Sequence, residues 1–221
     1  MLSFREFLNE TSGTTGTTVK PKKKSELIDI IEETISEEGF DCDLNFIDTS
    51  AITDMSELFY IFDDFNGDIS KWDVSKVKDM EAMFKDSNFN GDISKWNVSN
   101  VKDMSVMFDK SNFNGDISKW NVSNVEDMSH MFMQSKFNGN ISKWDVSKVK
   151  DMYCMFFKSK FNGDISKWNV SHVTDMANMF YGSNFNGDIS KWNVSKVKDM
   201  TAMFYDSPLE GNEPVWYKER N

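Results

Sequence analysis

Only two cysteines occur in the 221 residues, Cys42 and Cys154. They lie far apart with no partner spacing around them, which argues against a disulfide framework or a zinc site and fits a reducing compartment. Histidine is equally scarce. His130 and His172 have no acid or nucleophile in a fixed pattern beside them, so no catalytic constellation is written in the chain and no enzyme is expected. No apolar run is long enough to span a membrane. MLSFREFLNE lacks the basic stretch and apolar core of a secretory signal, so the expected location is intracellular. Most of the chain also lacks a charge imbalance. The net charge is −11, yet residues 65–208 hold 18 lysines against 18 acidic side chains. Residues 1–64 carry 5 basic and 15 acidic side chains, so the acid sits at the amino-terminal end. Residues 137–160 carry a local surplus of +3 through Lys143, Lys148, Lys150, Lys158 and Lys160, which reads as solvated surface, and a body that is otherwise neutral argues against nucleic acid as a partner. It also counts against a third functional reading, an acidic mimic of DNA acting through residues 26–64.

What the chain has in abundance is repetition. Phe65, Phe89, Phe113, Phe137, Phe161 and Phe185 open six units at a strict period of 24 residues, and each unit carries one tryptophan, Trp72 to Trp192. Leu209 and Trp216 continue the phase in degenerate form, and Asp48–Phe59 anticipates it with one extra residue before Phe65. A fixed period of this length reads as a solenoid, in which each unit buries its apolar face only against its neighbours. Nearly all of the 15 methionines and the aromatics recur at fixed positions, which makes them core residues rather than a cofactor box, so no cofactor is expected.

Within a unit, Trp96 and Val98 alternate with Lys95, Asn97 and Ser99, which predicts a short strand. Val101, Met104 and Phe108 then follow at helical spacing, with Ser99 or Asn100 as cap and Asp103 in the first turn. Asn90-Gly91 supplies the turn between units. The predicted fold class is therefore α/β: a right-handed leucine-rich-repeat-like solenoid with one short strand and one helix per 24-residue unit and an amino-terminal capping helix.

The chain divides into a leader-like amphipathic segment at 1–10, a flexible linker at 11–24, an acidic capping helix and entry at 25–47, the repeat solenoid at 48–208, and a degenerate carboxyl-terminal cap at 209–221. In the capping helix, Ser25 is the predicted N-cap, Leu27, Ile28, Ile31 and Ile35 form one stripe, and Gly39 stands at the C-cap. Two carboxylate ladders run through the repeats, one from Asp79 to Asp199 and one from Asp68 to Asp188. Each has a structural role, at predicted helix starts or three residues before a lysine ladder, and neither has the spacing of a metal loop, so no metal is expected. The slots that vary are more informative. One row reads Lys85, Asp109, Met133, Phe157, Tyr181, Tyr205. Its last four members make the partner-binding candidates Met133, Phe157, Tyr181 and Tyr205, because contiguous exposed aromatics mark partner surfaces. The lysine row on the strand side, with Lys119 and Lys143, is the rival surface.

The units FNGDISKWNVSNV, with the Asp-Met and Met-Phe pairs that follow, resemble the BspA-type leucine-rich repeat, also called the mycoplasma lipoprotein repeat, of bacterial surface proteins. The likeness runs from about Asp48 to Trp216. It implies a binding scaffold and, for exported and anchored members, adhesion to host surfaces. This chain shows no export signal and no lipobox cysteine near Met1, which makes adhesion the alternative reading. MLSFREFLNE resembles the leader of proteins packaged into the heads of T-even-like tailed phages. That resemblance implies a prohead-protease cut after Glu10, within Leu8-Asn9-Glu10, leaving Thr11 as the new terminus. It further implies a non-enzymatic protein-binding solenoid carried in the virion and delivered to the host cytoplasm, where it would bind a host or defence protein.

Overall fold

The computed structural model describes residues 18–220. Two helices occur among them: α1, Lys24–Glu38, and α2, Val215–Lys218. The expected strand and helix in each unit do not exist. Between α1 and α2 the chain is a stack of coils built from turns, whose only β-type pairings are isolated parallel bridges such as Asp79↔Asp103, Asp103↔Asp127 and Asp127↔Asp151. The α/β leucine-rich-repeat-like assignment is thus corrected to a turn-built stack.

Backbone hydrogen bonding shows why the helical pattern misled. A helix needs each N–H to reach the carbonyl four residues back. Here the N–H groups of Met104, Val106, Phe108 and Lys110 all leave the coil and bond to Asp127, Ser129, Met131 and Met133 of the next one, at 2.7–3.1 Å. The intervening N–H groups stay at home: Met107 bonds to Met104 and Asp109 to Val106, both three residues back. Val106 and Lys110 sit at φ 60° and 53°, and the equivalent residues of other coils share this left-handed geometry. Two left-handed residues in five end any helix. Asp103 therefore caps no helix. Its Oδ1 accepts the N–H of Ser105 at 2.8 Å in a local Asx turn.

The strand half fails differently. Burial alternates as expected, with Trp96 and Val98 inside and Lys95 and Asn97 outside. The backbone, however, turns twice there: Trp96 N–H bonds to Ile93 and Val101 N–H to Val98, at 3.1 and 3.0 Å. Side chains replace the missing ladder. The indole N–H of Trp96 reaches back to the Ile69 carbonyl at 3.2 Å, Trp120 reaches Ile93 at 3.1 Å, and the series continues through Trp192 to Ile165. Asn90, Asn114 and Asn138 each accept, through Oδ1, the N–H of the matching asparagine one coil on, at 2.8 Å.

Two phenylalanine columns run through the core. Phe108 stacks on Phe132 at 5.7 Å, Phe113 on Phe137 at 6.3 Å, and the columns touch at Phe108–Phe113, 4.5 Å. All are fully buried. Each contributes about 1.5–3 kcal/mol by burial, with ~0.5–1.5 kcal/mol for a well-stacked pair. The glycine of each Phe-Asn-Gly makes room for its own ring: a Cβ on Gly115 would meet the Phe113 ring at 2.9 Å.

The ends of the stack are covered. α1 lays Leu27, Ile31 and Ile35 on the first coil, and Gly39, at φ 86°, donates its N–H to Ile35. The helix begins one residue before Ser25, and its N-cap position, Lys23, makes no side-chain cap. At the other end Trp216 repeats the indole bond, to Ile189 at 3.0 Å, while the Arg220 guanidinium donates to the Val194 and Val197 carbonyls at 2.6 and 2.8 Å. The leader-like segment and most of the expected linker lie within residues 1–17, outside the described residues, as do Leu8, Glu10 and Thr11.

Candidate interaction surface

One consequence of the axial bonding is that side chains at a given slot stand in a column along the stack. Phe157, Tyr181 and Tyr205 form such a column, with ring centroids 4.9 and 5.0 Å apart and planes within 20° and 29°. Met133 and Phe157 are half-buried, as is Tyr181, while Tyr205 is 56% exposed at the open end. Among the described residues no helix runs within the repeat coils that carry the column. The four candidate residues are brought together as one ridge.

A cation lies along this ridge. The Lys158 ammonium is 5.3 Å from the Phe157 ring centre and 6.0 Å from that of Tyr181. It can reach across because the next coil has Gly182 in its slot, left-handed at φ 60°, where a Cβ would press on Lys158 Cγ at 3.0 Å. The column begins earlier than the sequence reading placed it. Tyr60, 42% exposed, occupies the same slot one coil before Lys85, whose ammonium sits 4.9 Å over its ring. The alignment of Asp54 on Asp79 already places Tyr60 opposite Lys85; the row taken within the regular units begins only at Lys85.

Asp109 interrupts the column. It is 6% exposed, and its Oδ1 has no hydrogen-bond partner. Burial raises its pKa above the ordinary carboxylate range, opposed by nearby Lys110 and Lys85. Lys110 itself pairs with Asp86 at 3.7 Å.

Lys119 and Lys143 are exposed, but they stand in a separate column on the turn side and join no part of the aromatic ridge. His130 is half-buried, edge-on to Tyr153 at 4.9 Å, and burial lowers its pKa against the pull of Asp151 and Asp127. Cys42 and Cys154 are buried free thiols. Burial, reinforced by Glu38, pushes Cys42 up to about 11, far from the range of a reactive thiolate. Among the described residues no group of three His, Cys, Asp or Glu side chains could hold a metal ion, and no helix is long and apolar enough to cross a membrane.

Comparison with curated proteins and with solved structures finds no match. A family model described as "Mycoplasma protein of unknown function, DUF285" matches twice, over residues 31–136 and 109–215. These matches take in the first coils, all six regular units and the start of the carboxyl-terminal cap. The chain belongs to this mycoplasma-type repeat family, DUF285.

Proposed function

We propose that the chain is a non-enzymatic scaffold that binds another protein through the Met133–Phe157–Tyr181–Tyr205 ridge. The observation that carries this reading is the continuous aromatic stack Phe157–Tyr181–Tyr205 in the later coils of an otherwise uniform array. Aromatic side chains on a rigid backbone supply contact area at low entropic cost and dominate binding energy where they are buried by a partner. Nothing in the packing of the core requires them, since the same slot holds Lys85 and Asp109 in earlier coils. Replacing Phe157, Tyr181 and Tyr205 together by serine is expected to abolish capture of the partner while leaving cooperative unfolding in place. Capture at wild-type strength by the triple variant removes the ridge from the argument.

The finer reading, a protein carried in a phage head into the host cytoplasm to block a host or defence protein, is supported only by Met1–Glu10. Its test is the amino terminus of the native protein by intact mass. A chain beginning at Thr11 supports it, and one retaining Leu8-Asn9-Glu10 ends it. Adhesion at a bacterial surface is the competing reading, supported by the family's resemblance to surface repeats.

A further inference from the structure

The turn side of the stack carries a second feature, in coils whose sequence departs from the rest at one slot. After Lys76 in the first regular coil, this slot holds Asn100 and Asn124. Each lies flat and donates its amide N–H to the serine carbonyl of the coil beneath, Ser75 at 2.7 Å and Ser99 at 2.8 Å. The next three coils place Lys148, His172 and Lys196 there. None of these bonds to the carbonyl beneath. All three are exposed, and they line a groove of about 470 Å³.

The groove is cationic. Lys150 is neutralised by its pairing with Glu126, and Lys148 makes one hydrogen bond, to Asn124 Oδ1 at 2.6 Å. Lys196 has no hydrogen bond or ion pair among the described residues. Consecutive coils are joined at the neighbouring slot by Thr174 N–H to Lys150 and Lys198 N–H to Thr174, both 2.8 Å. That ladder spacing sets the three column members roughly 5 Å apart. Lys148 and Lys196 therefore stand one coil to either side of His172, whose Nδ1 lies 3.5 Å from Ser171 Oγ, and Ser147 lines the same groove. Thr174 spends its hydroxyl hydrogen on the Lys150 carbonyl, so it shapes the wall without donating into it.

We propose that this groove binds a phosphate group. A phosphate carries about −1.5 to −2 charges and three acceptor oxygens, matching three adjacent nitrogen donors, and lysine serves as a point-charge phosphate binder. The groove is in the size range of small-molecule sites, ~300–1,000 Å³, and the aliphatic stems of Lys148, Lys150 and Lys196 line it. There is room for the organic part of a phosphate monoester.

The test uses the full chain and the fact that it has only two histidines. Imidazole resonances are followed by NMR during titration with inorganic phosphate and, separately, phenyl phosphate, at constant ionic strength and pH. Saturable shifts of His172, with His130 unmoved, are expected. The Lys148→Gln/Lys196→Gln variant should bind at least about tenfold more weakly, the cost of a lost charge-assisted bond. A Lys76→Gln/Lys78→Gln variant, with the same charge loss in the first regular coil, should bind as wild type. Tighter binding of phenyl phosphate identifies a monoester ligand, and equal binding identifies the free ion. Absence of a saturable His172 shift, or equal weakening in the two double variants, overturns the proposal.

Discussion

Trp120→Phe tests what joins the coils on their turn side. The indole N–H of Trp120 donates to the Ile93 carbonyl at 3.1 Å from a side chain only 4% exposed. Phenylalanine keeps an aromatic ring in the core and removes the donor. The Ile93 carbonyl also accepts the Trp96 N–H at 3.1 Å, so it is not orphaned. The polar loss is thus that of one net hydrogen bond, about 1 kcal/mol, rather than the larger penalty of an unpaired buried group. The smaller ring leaves space against Phe108, whose centroid lies 6.5 Å away, and adds about 1–2 kcal/mol of lost packing. The sum, roughly 2–3 kcal/mol, is a large share of the ~5–15 kcal/mol that holds a domain together. Urea unfolding should show a lower midpoint, with loss of amide protection concentrated in the coils around Ile93 and Val122, because coupling in a stacked array is between nearest neighbours. Trp216→Phe, made in a half-buried terminal residue, should cost less than half as much. Equal losses at Trp120 and Trp216, or a midpoint unchanged by Trp120→Phe, would refute the indole clamp.

Two further outcomes follow from backbone strain and from a buried charge. Val106 holds φ 60° with a β-branched side chain, and Asn178 fills the same slot two regular coils beyond His130; Val106→Asn should raise stability by about 1 kcal/mol in chemical denaturation. The Asp109 carboxyl is pushed above its ordinary pKa of 3.8, burial being the main cause, so the folded chain holds its proton more tightly than the unfolded chain. Stability therefore falls as pH rises from 3.8 through the folded-state value. Asp109→Asn should be the more stable protein at pH 7, and its advantage should vanish on acidification below the ordinary carboxylate range. An advantage constant with pH would show that the carboxylate charge is not the cost.

The period, the phase and the inward-facing residues were legible in the chain because each is imposed six times. Phe113, Trp120, Val122, Met128 and Phe132 are buried as their spacing demanded. The elements were not legible, because hydrophobic spacing reports which side chains face inward and not which carbonyl an N–H will choose. Val101, Met104 and Phe108 satisfy a helical pattern, yet a residue at left-handed φ stands between the last two. Val, His and Cys at 106, 130 and 154 give no glycine signal for such geometry, which is why it could not be anticipated. The aromatic ridge was visible as a column in the aligned units. The groove at Lys148, His172 and Lys196 was visible only as a local surplus of lysine; it takes the bonds of Asn100 and Asn124 to show what those residues leave open.

The two halves of a coil obey different chemistry, and that difference explains where the units vary. On the turn side, hydrogen bonds depend on particular side chains: the indole of Trp120, the amide of Asn114, the carboxylate of Asp116 that accepts the Ser118 N–H at 2.9 Å. Changing one of these residues removes a bond, so Ser-Lys-Trp-Asn/Asp-Val recurs with little change. On the opposite side, four N–H groups per coil point along the axis to four carbonyls of the next coil, and the backbone satisfies itself. Side chains at 106, 109 and 110 and their equivalents then carry none of these axial hydrogen bonds. They can be Lys85, Asp109, Met133 or Tyr181 without altering the stack. A surface whose side chains are free of structural duty, on a backbone fixed at every other residue, is where a repeat array can acquire a specific partner at least cost to its own stability.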